Sequence, residues 1–178
     1  MRNFTLLLTL CMWASAGHAQ RFVTRDAQIS FLSETPLEDI QAESLAASAI
    51  FDMATGELAF QAPILSFHFP KALMEEHFNE NYMESEQFPK ASFRGVVAGL
   101  VPDKEGEQMV TVTGTLDMHG VAKERAIEGT MTRDGEWWIV ASQFEVACED
   151  HDIDIPKVVS ENIAEIIGVT LRAELKLK

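Results

Sequence analysis

From Gln108 to Phe144 apolar and polar residues alternate with almost no break, and tight turns interrupt the alternation at two places. In Val110–Met118 one face carries Val110, Val112, Gly114, Leu116 and Met118, and the other carries Thr111, Thr113, Thr115 and Asp117. Successive side chains of a strand point to opposite faces, so this period of two predicts a strand with one dry face and one wet face. His119–Gly120 and Asp134–Gly135 punctuate the pattern. Asp-Gly between alternating runs is a hairpin signal, because a type I′ turn requires positive φ at its central residues. The segment reads as an antiparallel meander that must stack or close to hide its dry face.

The rest of the chain extends the pattern. Arg21–Ser33 reads as one strand or two short ones, with Ile29 and Phe31 on one face. Pro36–Ala42 reads as a short polar connection with helical character. Ser44–Asp52 and Glu57–Phe69 read as strands on either side of Thr55–Gly56, and Lys71–Asn79 as a short helix after Pro70. Ala91–Val101 is a further strand, turning at Pro102–Gly106, and Glu136–Cys148 closes the meander. Pro156–Ile167 has the spacing of an amphipathic helix, with Val159, Ile163 and Ile166 on one face and Gly168 where a left-handed cap belongs. Val169–Lys178 is the last strand. The sum is about eight strands with two or three short helices in one domain, and eight antiparallel strands can close into a barrel that holds side chains or one small ligand. A two-sheet sandwich is the alternative.

The chain has 178 residues and a formal net charge of −14. Residues 1–19 are set apart as a secretory signal peptide: Arg2 is the early charge, Phe4–Ala16 is apolar, and Gly17–His18–Ala19 offers small residues before a cut between Ala19 and Gln20. This leader predicts a periplasmic or secreted protein, with residues 20–178 as its domain. The apolar run is too short to span a membrane, and no other segment is long enough. Cys11 lies inside that run without the small residues that precede a lipidated cysteine. The acidic balance argues against nucleic acid and against anionic membrane surfaces as partners. Outside the leader one cysteine remains, Cys148, so no internal disulfide is available. It falls in phase with Trp138, Val140, Phe144 and Val146 and reads as a buried small hydrophobe.

Motifs for catalysis are not found. His68, His77, His119 and His151 lack metal-binding spacing, and His119–Gly120 reads as a turn with no nearby partner for acid–base work. Glu149–Asp154 lacks the glycine and distal glutamate of a calcium loop, and reads as a loop whose acids favour the N-terminus of the following helix. No phosphate loop, nucleophile elbow or zinc-protease helix is present. The dry faces are the remaining candidates. Phe31, Phe51, Phe60, Phe93, Leu116, Met118, Ile127, Trp138, Phe144 and Leu171 are expected to line an interior, either packed or hollow. Ala47, Ala49, Gly95, Gly114 and Gly129 on the same faces leave room and favour the hollow form.

Three local patterns resemble the YceI-like proteins of bacterial periplasms. Phe88–Pro89–Lys90–Ala91–Ser92–Phe93 is similar to the family's aromatic–proline–phenylalanine element. Val112–Lys123, with Gly114, Leu116, His119, Gly120, Val121 and Lys123, resembles its G-x-L-x-x-H-G-V-x-K strand and turn. Phe144–Val146 followed by His151–Ile153 resembles a strand ending at an Asp-Phe-Gly-Ile-like loop, although here the loop is Asp152–Ile153–Asp154–Ile155. The resemblance runs from about Arg21 to Lys178. It implies an all-β, lipocalin-like, eight-stranded antiparallel barrel that encloses a polyisoprenoid chain, such as an isoprenoid quinone or polyprenol, and it offers no catalytic residue; neither a cofactor nor a metal is expected. His119 and Arg94 are expected at the mouth as polar groups toward a headgroup. The alternatives left open are a filled barrel serving as a structural or protein-interaction domain, and an enzyme acting on a lipid-like substrate. Ligand identity and oligomeric state are not legible in the sequence.

Overall fold

The computed structural model describes residues 20–178, and the expected leader with Cys11 lies outside the described residues. Period-two alternation carries the chain through eight strands: β1 (Arg21–Glu34), β2 (Asp39–Asp52), β3 (Glu57–Pro63), β4 (Lys90–Ala98), β5 (Gly106–Met118), β6 (Val121–Asp134), β7 (Trp137–Ala147) and β8 (Ile166–Leu177). Each pairs antiparallel with the next, and β8 returns to β1 through Phe22↔Leu177 and Phe31↔Val169, so the sheet is a closed, lipocalin-like barrel rather than a sandwich. Closure removes both sheet edges and turns every dry face inward.

Four connections gather at one end of the barrel: 35–38, 64–89, 119–120 and 148–165. The chain start, its end and the connections 53–56, 99–105 and 135–136 gather at the other. The two ends are built differently. At the second, Phe22, Phe51 and Trp138 interlock, with Trp138 edge-on to both phenylalanines at centroid distances of 6.5 and 6.2 Å. Met131, Leu175 and Leu58 pack around them. Gln108 seals this end: its Oε1 accepts from the Val101 amide (2.9 Å), and its Nε2 donates to the carbonyls of Val101 and Lys104 (both 3.1 Å). A buried amide satisfied on both sides pins the β4–β5 loop over the plug.

Several expectations are corrected. Pro36–Ala42 is not helical. Thr35 Oγ1 accepts from the Glu38 amide at 3.1 Å and closes a tight turn, and Asp39–Ala42 already belongs to β2, with Ala42 opposite Phe31. The strand expected over Glu57–Phe69 stops at Pro63. Ile64–Ser66 then forms a single 3₁₀ turn, and the chain crosses to β2, where Glu43 and His68 exchange backbone hydrogen bonds of 3.2 and 2.9 Å. Residues 157–163 form turns instead of an amphipathic helix, and Gly168 lies within β8 opposite Leu32 and Glu145. The short helix after Pro70 is present as α1 (Ala72–His77), continued by a wider turn over Phe78–Tyr82. In the β6–β7 hairpin the central residues are Gly135 and Glu136, and only Gly135 has positive φ (59°), so the turn is not type I′. His119 (φ 53°) and Gly120 (φ 75°) both have the positive φ of a type I′ turn.

The small residues do not hollow the barrel. Ala47 and Ala49 are packed into the core, and Gly95 and Gly114 sit opposite each other where the backbones of β4 and β5 touch. A Cβ on Gly114 would lie 2.1 Å from the Arg94 carbonyl oxygen, a backbone atom with no freedom to retreat. Gly114→Ala is therefore expected to destabilise the barrel by about 1–3 kcal/mol or more in denaturant unfolding. Gly168→Ala, whose Cβ would meet nothing closer than the Leu32 carbonyl at 3.8 Å, should leave the midpoint unchanged.

The β2–β3 turn depends on one carboxylate. Asp52 Oδ2 accepts from Arg21 Nε at 2.9 Å, and its Oδ1 accepts from the amides of Ala54 (3.0 Å) and Thr55 (3.4 Å). The Arg21 guanidinium first, then these amides, hold the Asp52 carboxyl below the usual carboxylate range. A folded-state pKa below the unfolded one contributes stability above the unfolded value, and that contribution is lost as pH falls through the folded one. The stability difference between the natural protein and Asp52→Asn should thus be largest near neutral pH and shrink as pH is lowered from about 5, in urea titrations across that range.

Candidate ligand cavity

Beyond the plug the interior is open. A cavity of about 410 Å³ extends from the middle of the barrel to the end where the four connections gather. Its wall is strand-borne and apolar, with Phe60, Phe93, Leu116, Met118, Phe144 and Leu171 among its residues. Its mouth is loop-borne. Phe31 of β1 stacks on Phe78 at 5.4 Å and contacts Phe67 and Phe69, both at 5.7 Å, while Phe69 and Phe78 lie 5.1 Å apart. These four rings seat the α1 segment on the barrel rim. Lys71 Nζ, 2.7 Å from Glu38 Oε1, ties the start of α1 to the β1–β2 turn. Across the mouth, Ile153, Ile155, Val159 and Ile163 of the β7–β8 connection complete the wall. The Ala164 amide donates to Ser33 Oγ (2.8 Å) and anchors that connection to β1.

The expected lining divides by height along the barrel. Phe31, Phe60, Phe93, Leu116, Met118, Phe144 and Leu171 lie on the cavity wall. Phe51 and Trp138 face inward but are consumed by the plug, and Ile127 is buried beside Val112 away from the cavity. Alternation identifies the inward face and says nothing of the level at which a residue sits. Phe67, Phe69, Met74, Phe78, Ile153 and Ile155 were not expected on the wall, because they lie on connections with no simple period. The one legible signal was the apolar spacing of Val159 and Ile163, which line the cavity from a turn rather than a helix.

Neither polar group expected to face a headgroup lines the cavity. Arg94 points outward from β4 between Ala59 and Thr115. His119 lies inside a clamp: its Nδ1 is 2.9 Å from the His151 carbonyl, its Nε2 is 3.1 Å from Glu84 Oε2, and the Phe88 ring packs edge-on at 4.6 Å. Each ring nitrogen thus has an oxygen partner, one on either side of the turn. His151 is buried beneath, with Nδ1 3.0 Å from the Val121 carbonyl. The clamp joins the β5–β6 turn to the loops at residues 84–88 and 148–151. The ring of Phe88 also explains Gly120, where a Cβ would fall 2.6 Å from it.

The groups on the wall that can titrate are Glu38, His77, Tyr82 and Cys148. Among the described residues no hydrogen bond joins any two of them, and burial pushes the Tyr82 phenol and the Cys148 thiol up from their usual values. A thiol held protonated is a poor nucleophile, which agrees with the reading of Cys148 as a buried hydrophobe. The acids of Glu149–Asp154 surround a 3₁₀ turn, not a helix N-terminus, and among the described residues no cluster of three or more such groups is placed to hold a metal ion. No helix among the described residues is long and apolar enough to cross a membrane. His119→Ala leaves the carbonyl of the buried His151 without its ring partner and removes the packing against Phe88, while the half-exposed Glu84 carboxylate turns to water. The substitution should cost about 1–3 kcal/mol in urea unfolding, while the far-ultraviolet circular dichroism remains that of the barrel.

Three solved structures share this architecture. A polyisoprenoid binding domain from Saccharophagus degradans, implicated in plant cell wall breakdown, superposes with a TM-score of 0.76 at 15% identity, covering 90% of this chain and 99% of that one. Burkholderia cenocepacia BcnA gives 0.69 at 14% identity, with 84% and 95% covered. The YceI protein of Campylobacter jejuni gives 0.60 at 14% identity, with 100% and 99% covered. At these identities the likeness shows the fold alone. No curated protein matches the chain. The model of the YceI-like domain matches residues 19–175, and the chain belongs to the YceI-like family.

Proposed function

We propose that this protein is an exported, non-enzymatic binding protein that encloses an apolar polyisoprenoid or lipid-like chain inside its barrel. The observation that carries the reading is the cavity: about 410 Å³, walled by phenylalanine, leucine, isoleucine and methionine, closed at one end by the aromatic plug and open at the other. Such a space takes apolar surface out of water. Each buried CH₂ contributes roughly 0.8 kcal/mol, so a chain of several isoprene units is held without a strong polar anchor. An isoprenoid quinone or a polyprenol fits this description. The similarity of the fold to a polyisoprenoid binding domain supports it. The enzyme alternative draws no support from the wall, whose titratable groups form no hydrogen-bonded pair. The filled-barrel alternative does not fit the cavity. The apolar leader before Gln20 supports export to a periplasm or outside the cell.

Phe93 faces Phe60 and Leu116 across the cavity wall, so a charge there meets apolar surface on both sides. In native mass spectrometry of the protein purified from the cells that make it, the unmodified chain should begin at Gln20 and carry an extractable isoprenoid mass. Phe93→Asp should retain the fold and lose that mass. Unaltered lipid content in the variant, or a bare chain in both, would overturn the reading.

A further inference from the structure

The charge of this barrel is concentrated at its mouth. The connections there hold twelve carboxylates, one in 35–38, five in 64–89 and six in 148–165, against two lysines, Lys71 and Lys157. The connections at the plugged end hold three carboxylates and one lysine. Lys71 is already engaged by Glu38. No lysine or arginine lies on the cavity wall, whose polar side chains are Ser33, Glu38, His77, Tyr82, Ser92 and Asn162; beside it Arg125 holds its guanidinium 6.0 Å from the Phe144 ring and donates to the Glu145 carbonyl. The start of α1 offers no anion site either, since the Glu75 carboxylate turns back there and accepts from the Phe69 amide at 3.1 Å.

A phosphate monoester carries about −1.5 to −2 at neutral pH and needs arginine, lysine or free amides to bind well. At this mouth it would meet like charge against low-dielectric walls, which strengthen the repulsion. A hydroxyl or quinone carbonyl carries no such penalty, and the Tyr82 phenol and Asn162 amide are neutral groups able to hydrogen-bond it. Building on the container reading, we propose that the cavity selects isoprenoid-like chains with an uncharged headgroup and rejects the phosphorylated forms of the same chains.

The test uses geranylgeraniol and geranylgeranyl monophosphate, each below its aggregation concentration, titrated into delipidated protein by isothermal titration calorimetry. Measurements at about 0.05 M and about 0.5 M salt change the screening length about threefold. The expected result at low salt is an affinity about tenfold or more weaker for the phosphate. That gap should narrow at high salt, and also in the variant Glu76→Gln/Glu80→Gln/Glu161→Gln, which neutralises three exposed rim positions. Equal or tighter binding of the phosphate at low salt would overturn the selectivity and leave the container intact. A gap indifferent to both salt and the triple variant would overturn its electrostatic origin. Binding of neither compound would overturn the container reading itself.

Discussion

Once β8 pairs with β1, eight half-apolar strands point their dry faces at one another, and the rest of the molecule follows from how that shared interior is filled. Side chains can fill such a barrel completely. Here they fill part of it. The large rings of Phe22, Phe51 and Trp138 meet at the level where the barrel's described chain starts and ends, and Met131, Leu58 and Leu175 pack around them. Above that level the inward residues belong to the wall alone, and the rings that would have met at the axis are carried by loops at the rim. The packed half supplies the stability of an interior without disulfides. The hollow half costs some of it, since a cavity forfeits contacts its lining would otherwise make.

The alternating pattern made the strands, their order and their inward faces readable. Val110 to Met118 is one strand with the faces expected of it, and Glu124 and Arg125 follow on the neighbouring strand through the His119–Gly120 turn. What alternation does not encode is height along the barrel axis. Trp138 and Phe144 lie on the same face of β7, six residues apart, yet one is in the plug and the other on the cavity wall. The level of each residue is set by strand tilt and register, which depend on pairing partners far away in the chain. The glycines misled for a related reason. Gly95 and Gly114 look like spaces in a one-dimensional pattern, and in three dimensions they are the places where two backbones come closest.

The mouth was the least legible part because its order is non-local. His119 has no partner nearby in sequence, and its two are Glu84 and the carbonyl of His151, each more than thirty residues away. Phe31, Phe67, Phe69 and Phe78 form one cluster from a strand, a crossing segment and the end of a short helix. The misread helix at Pro156–Ile167 follows the same logic. Val159 and Ile163 do share an apolar side, but the Ala164 amide is spent on Ser33 and the carbonyl of Glu165 accepts from the Cys148 amide at 2.9 Å, so the segment is tied to the rim at both β1 and β7. Tertiary hydrogen bonds there outweigh a weak local preference for helix.

In the proposed container, the cavity wall and its mouth act on different parts of a guest. Burial of an apolar chain is non-directional and scales with area, so the cavity wall sets how tightly a chain is held and scarcely distinguishes one chain from another of equal length. Under the proposed selectivity, discrimination comes from the end of the guest that stays near water, where three connections present twelve carboxylates against Lys71 and Lys157, with Lys123 3.8 Å from Asp150. Loops with few structural obligations are where charge is placed most freely, and these frame the opening rather than the plugged end. In the proposed container, affinity is written in the alternating strands and selectivity in loops whose sequence shows no period at all.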